Sequence, residues 1–124
     1  MTIIEHVNLT VSDNRASADL LKRLFGWHVR WEGPSQSGGQ SIHVGDDRFY
    51  IALYQPAGSA SATRGFAKGE PLNHVGLLVD DLPTLLARVE AAGLTPFNHE
   101  RYEPGERFYF FDRDGIEFEI VSYA

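Results

Sequence analysis

Apolar and polar positions alternate with period two at the start of the chain. Val7, Leu9 and Val11 alternate with His6, Asn8 and Thr10, which predicts a half-buried strand with one apolar face. A helical period follows. Ser12 or Asp13 is placed to cap a helix that runs to about Phe25, with Ala16, Leu20, Leu21 and Leu24 as its stripe and Gly26 as its stop. Short strand patterns come next, at Trp27 to Trp31, Gln40 to Val44 and Arg48 to Tyr54. The same succession then recurs. Val75, Leu77 and Val79 alternate after His74; Asp81 caps, Pro83 lies in the first turn, and Leu85, Leu86 and Val89 form the stripe before Gly93. Strand patterns follow at Thr95 to His99, Arg107 to Asp112 and Ile116 to Val121. Each half reads β-α-β-β-β, which predicts an α+β fold of two βαβββ modules.

The repeat is legible residue by residue. His6-Val7-Asn8-Leu9-Thr10-Val11-Ser12-Asp13 and His74-Val75-Gly76-Leu77-Leu78-Val79-Asp80-Asp81 share His, Val, Leu, Val and Asp at an offset of 74 − 6 = 68. The 124 residues suit one domain, with a first module over about 1–55, a linker over about 56–71 and a second module over about 72–124. The segment Gln55 to Pro71 is rich in Gly, Ala and Ser and reads as a linker or a lid, in which Arg64 and Lys68 are candidates to meet an anionic substrate. Gly33 to Gly39 reads as a long hairpin loop.

Composition narrows the function. There is no cysteine, so a metal must take nitrogen and oxygen ligands. The net charge of −6, with no basic stripe, argues against nucleic acid. No stretch has the length of a membrane span, and the N-terminus lacks the pattern of a signal peptide. A cytoplasmic protein with a small-molecule ligand is the expectation.

A duplicated strand that twice carries a histidine opposite its apolar face suggests one site built from two halves. Asp112-Arg113-Asp114-Gly115 reads as a tight turn, after which Glu117 and Glu119 share one strand face. Taken singly, these residues are better explained by packing or surface. Together, two histidines and a carboxylate make a facial set that leaves positions open at Fe(II) or a similar ion.

On these motifs, over essentially its whole length, the chain resembles the vicinal oxygen chelate superfamily, which includes glyoxalase I, extradiol dioxygenases and bleomycin and fosfomycin resistance proteins. The resemblance implies two βαβββ modules forming a cupped mixed sheet around a divalent metal. It places the ligands at His6, His74 and Glu119. Glu117 is the weaker choice, because the family pattern sets the carboxylate four residues after the turn glycine, at 115 + 4 = 119. Alignment of Ile51-Ala52-Leu53 with Phe118-Glu119-Ile120 puts Ala52 where glyoxalase I carries a glutamate. That departure implies three ligands rather than four.

The segment from His99 through Phe108-Tyr109 and the turn to Glu119 resembles the extradiol dioxygenase signature, with Arg113 in place of the usual proline. The match implies catalytic roles for Tyr109 and His99. Asn8, Tyr50, Ala52, Tyr54 and Arg107 are expected to bind substrate. The expected cofactor is a divalent metal, Fe(II) or Mn(II) first and Zn(II) or Ni(II) as alternatives. The expected activity is extradiol, catechol-type chemistry on a substrate that chelates the ion through two oxygens. A glyoxalase-like lyase or isomerase, and a metal-free drug-binding resistance protein, are the alternatives. A homodimer is expected. His28 and His43 have no motif around them and read as surface or structural residues, and Trp27 and Trp31 as packing or dimer contacts.

Overall fold

The computed structural model describes residues 1–58, 71–102 and 105–123. The chain groups into two compact units, Met1–Gly65 and Phe66–Ala124.

The first unit contains strand β1 (His6–Thr10), helix α1 (Asn14–Phe25) and strands β2 (His28–Pro34), β3 (Gln40–Gly45) and β4 (Tyr50–Gln55). The sheet order is β1-β4-β3-β2, with β1 parallel to β4 and the other pairs antiparallel. Period-two alternation sends Leu9, Val11, Ile42, Val44, Ile51 and Leu53 into the core. There they meet Ala18, Leu21 and Leu24 of α1, which packs on β3 and β4. Asp13 accepts a hydrogen bond from the backbone N–H of Ala16 at 3.1 Å, and Gly26 closes the helix in the left-handed region at φ 70°. Asn14 is buried and fixes the helix start to the sheet. Its side chain donates to the carbonyl of Gln40 at 3.2 Å, and its backbone N–H donates to Oε1 of Gln55 at 2.8 Å.

The second unit repeats the plan with β5 (Val75–Leu78), α2 (Leu82–Ala91), β6 (Phe97–Tyr102), β7 (Gly105–Phe111) and β8 (Glu117–Ser122), in the order β5-β8-β7-β6. Phe108, Phe110, Phe118 and Ile120 are fully buried on the face that α2 covers with Leu82, Leu85 and Val89. Asp81 caps α2 through the N–H of Thr84 at 3.2 Å, and the Thr84 hydroxyl returns a bond to its other oxygen at 2.6 Å.

Two βαβββ modules of α+β type are therefore present. The expected boundaries shift by a few residues. Most of the change is in Gly33 to Gly39, expected as a loop. There β2 runs on to Pro34, with Gly33 pairing Ser41 and Pro34 pairing Gln40 before a 3₁₀ turn at Gln36–Gly38. Proline is tolerated here because β2 is an edge strand. Most of Gln55 to Pro71, including Arg64 and Lys68, lies outside the described residues. Among those that are described, no helix is long and apolar enough to cross a membrane.

Candidate metal centre

In the second unit, parallel pairing of β5 with β8 sets Gly76 beside Glu119, and antiparallel pairing of β7 with β8 sets Tyr109 on its other side. His74, one residue before β5, turns Nε2 to Oε1 of Glu119 at 2.9 Å. Its other nitrogen, Nδ1, faces Oδ1 of Asn73 at 2.7 Å. Arg107 donates from Nη1 to Oε2 of Glu119 at 2.9 Å. The Glu119 and Arg107 side chains are only 11 % and 14 % exposed, so this pair sits where solvent screens little. Gly76 keeps the space before the carboxylate open; a Cβ there would lie 3.8 Å from Oε1, in ordinary contact.

The donor chemistry suits a cation. When Nδ1–H is donated to Asn73, Nε2 presents a lone pair to a carboxylate oxygen. Two lone pairs at 2.9 Å repel unless a proton or a metal ion lies against both. Two donors each about 2.1 Å from one ion and at right angles to each other lie about 3 Å apart. A histidine whose second nitrogen is held by an oxygen acceptor is the usual form of a metal-bound imidazole. Among the described residues, no group of three His, Cys, Asp or Glu side chains gathers for a metal.

Aromatic rings border the pair. Tyr109 lies edge-on to His74 with centroids 5.7 Å apart, and Phe97 stacks on both Tyr109 and Phe111 at 5.8 and 5.1 Å. His99 does not join them. Its Nε2 pairs with Glu106 at 2.7 Å and its ring stands edge-on to the buried Phe108, on the sheet face opposite Tyr109. A bulge between Phe97 and Glu100, with Asn98 at φ 49°, breaks the alternation that would have put residues 97 and 99 on one face. Bonds from His99 and then Arg101 hold the Glu106 carboxyl below its ordinary range. Glu117 is buried on the same face as Glu119 and pairs in register with Phe111.

The first unit presents His6, Asn8, Tyr50, Ala52 and Tyr54 on the face opposite α1. His6 Nδ1 pairs with Glu5 at 2.7 Å, which orients the ring as Asn73 orients His74. His6 stacks on Tyr50 at 4.8 Å, Tyr50 on His43 at 4.4 Å, and His43 meets Trp31 at 5.0 Å. Arg30 lies 4.9 Å over the Tyr50 ring. The Tyr54 hydroxyl donates to the Gln36 carbonyl at 2.9 Å. Burial, then the charges of His6 and Arg30, lower the His43 pKa. Trp27, by contrast, packs between Phe25 and Phe49.

The family model of the Glyoxalase/Bleomycin resistance protein/Dioxygenase superfamily matches residues 3–120. The chain belongs to that superfamily. Solved superfamily-like folds agree across almost the whole chain. A glyoxylase/bleomycin resistance protein/dioxygenase domain from Frankia sp. EAN1pec is 23 % identical with a TM-score of 0.84, over 98 % of each chain. The fosfomycin resistance protein FosX from Listeria monocytogenes is 16 % identical with a TM-score of 0.76, over 98 % of this chain and 93 % of that one. FosX from Mesorhizobium loti is 20 % identical with a TM-score of 0.74, over 98 % and 91 %. At these identities the likeness is one of fold. No curated protein matches the chain.

Within the superfamily frame, His43 stands out as a residue that sequence reasoning passed over. It pairs with Ala52 as Tyr109 pairs with Glu119, and Trp31 pairs with His43 as Phe97 pairs with Tyr109. The signal lay in the repeat frame: 109 − 43 = 66 and 119 − 52 = 67, an offset disguised because histidine and tyrosine share no letter.

Proposed function

We propose that this protein is a divalent-metal-dependent enzyme acting on a small molecule that chelates the ion through two oxygens, with extradiol, catechol-type oxygen chemistry as its specific form. The observation that carries it is His74 Nε2 beside Glu119 Oε1 at 2.9 Å, with Nδ1 of the same ring tied to Asn73. In this proposal His74 and Glu119 hold the ion, Fe(II) or Mn(II) before Zn(II) or Ni(II). A bound divalent ion supplies Lewis-acid polarisation and a template for two substrate oxygens. Two of the Listeria FosX structures are complexes with Mn(II), one of them a mutant that also holds 1S,2S-dihydroxypropylphosphonic acid, which supports a divalent metal and a small oxygen-rich ligand.

The chain's own groups then have separate tasks. The ring wall of Phe97, Tyr109 and Phe111 suits a flat aromatic substrate and keeps water from one side of it. The Tyr109 hydroxyl holds or accepts a proton of the substrate hydroxyl. Arg107 contributes a substrate contact. His99 takes no part, being paired with Glu106 on the other face. Exposed Ile3, Ile4 and Leu78 support a homodimer, and a cytoplasmic setting accompanies the proposal.

Oxygen uptake by Fe(II)- or Mn(II)-reconstituted protein over a panel of catechols tests the chemistry. Uptake with ring cleavage is expected. Bound metal without uptake would move the assignment to a glyoxalase-like lyase or isomerase. The Arg107–Glu119 ion pair favours one further alternative, a metal-free binding protein for an aromatic drug, because it already neutralises the carboxylate. Absence of bound metal after reconstitution would select it.

A further inference from the structure

Glu119 is shared between two partners, one on each oxygen. Oε1 faces His74 Nε2 and Oε2 accepts from Arg107 Nη1, both at 2.9 Å. We infer that Arg107 is a positioning residue whose charge makes metal binding depend on an anionic, two-oxygen ligand, so that ion and substrate bind cooperatively. This rests on the metal-dependent function proposed above. With Oε2 engaged, the carboxylate offers an ion Oε1 alone. With the guanidinium beside it, the donor pair His74 and Glu119 carries no net charge together with Arg107. A divalent cation entering such a site lacks the attraction that an uncompensated carboxylate would give, and a negatively charged chelate restores it. The guanidinium cannot yield by losing its proton, because it stays charged at every relevant pH.

Removal of Arg107 has two opposed effects. Loss of a bond that orients a ligating carboxylate weakens metal binding by about ten- to a hundredfold. Loss of a positive charge within about 4–6 Å strengthens cation binding by about ten- to a thousandfold by analogy with proton affinities, and a divalent ion feels the charge twice over. Arg107→Gln removes the charge and leaves an N–H donor on a shorter side chain, and the charge effect, doubled for a divalent ion, exceeds the orienting one. Arg107→Lys keeps the charge.

Mn(II) titration followed by the electron paramagnetic resonance signal of the free ion reads this without any turnover. It is run with and without oxalate, at an oxalate concentration that leaves Mn(II) mostly uncomplexed in protein-free buffer. Arg107→Gln is expected to bind Mn(II) alone about tenfold or more tightly than wild type. Oxalate is expected to tighten wild type and Arg107→Lys, and to lose that effect in Arg107→Gln. Equal or weaker Mn(II) binding by a folded Arg107→Gln, or the same oxalate gain in all three proteins, would overturn the role of Arg107 while leaving the metal site intact. No Mn(II) binding by any of them would overturn both.

Discussion

His43 and Tyr109 occupy equivalent register positions: His43 lies beside Ala52 in the first unit as Tyr109 lies beside Glu119 in the second. The two sheets thus present matched faces on which only one carries the carboxylate. The aromatic neighbour of that carboxylate is the group to remove. Tyr109→Phe is expected to leave Mn(II) binding unchanged and to lower turnover by about ten- to a thousandfold, the range for a positioned proton-handling or hydrogen-bonding group. Steady-state kinetics on the true substrate check it; unchanged kcat would make Tyr109 a packing residue.

Ala52→Glu would place a second carboxylate at the position equivalent to Glu119. Asn8 pairs with Ala52 as Gly76 pairs with Glu119, so the equivalence holds in the strand register as well as in the alignment. Ala52 is only 2 % exposed, so in the metal-free protein the substitution adds the cost of burying a carboxylate to the about 1–3 kcal/mol of enlarging the side chain. Added Ni(II) or Zn(II) is expected to recover that loss, seen as a lower Tm without metal and a larger metal-induced rise than in wild type. A Tm that metal does not restore would mean that a carboxylate at position 52 does not join His6 as Glu119 joins His74.

A pH dependence is built into the turn between β7 and β8. Burial pushes the Asp112 carboxyl up to about 6, against the bonds it accepts from the backbone N–H groups of Ile116 and Asp114. The folded chain therefore holds this proton more tightly than the unfolded chain. Stability from this group is full below about pH 4 and falls as pH rises through about 6, by about 2–3 kcal/mol in all. Asp112→Asn keeps the acceptor oxygen and removes the titration. Urea unfolding between pH 4 and 7 should show a downward slope in wild type that flattens in the variant.

Helix α1 depends on one cap. Asp13→Ala removes the acceptor for the Ala16 N–H and should cost about 1 kcal/mol, read as a lower urea midpoint with an unchanged m-value.

Much of this was legible in the sequence because it rests on local rules. Both helix caps, the alternating strands and the two-module frame follow from side-chain period and capping chemistry. The histidine at 74 was legible through the repeat, and Glu119 through the family resemblance. Three features were not. The fate of His99 depends on the bulge at Asn98, which no alternation count reveals. The bond from Arg107 to Glu119 joins residues on neighbouring strands, and only register decides whether they meet. The stack of His6, Tyr50 and His43 draws on three strands, so no single window of sequence contains it.

The central claim is that His74 and Glu119 hold a divalent ion. Elemental analysis of wild type and His74→Ala after reconstitution with Fe(II) or Mn(II) tests it most directly. Near-stoichiometric metal in wild type and loss of most of it in His74→Ala is the predicted result; equal metal in the two proteins, or none in wild type, would contradict it.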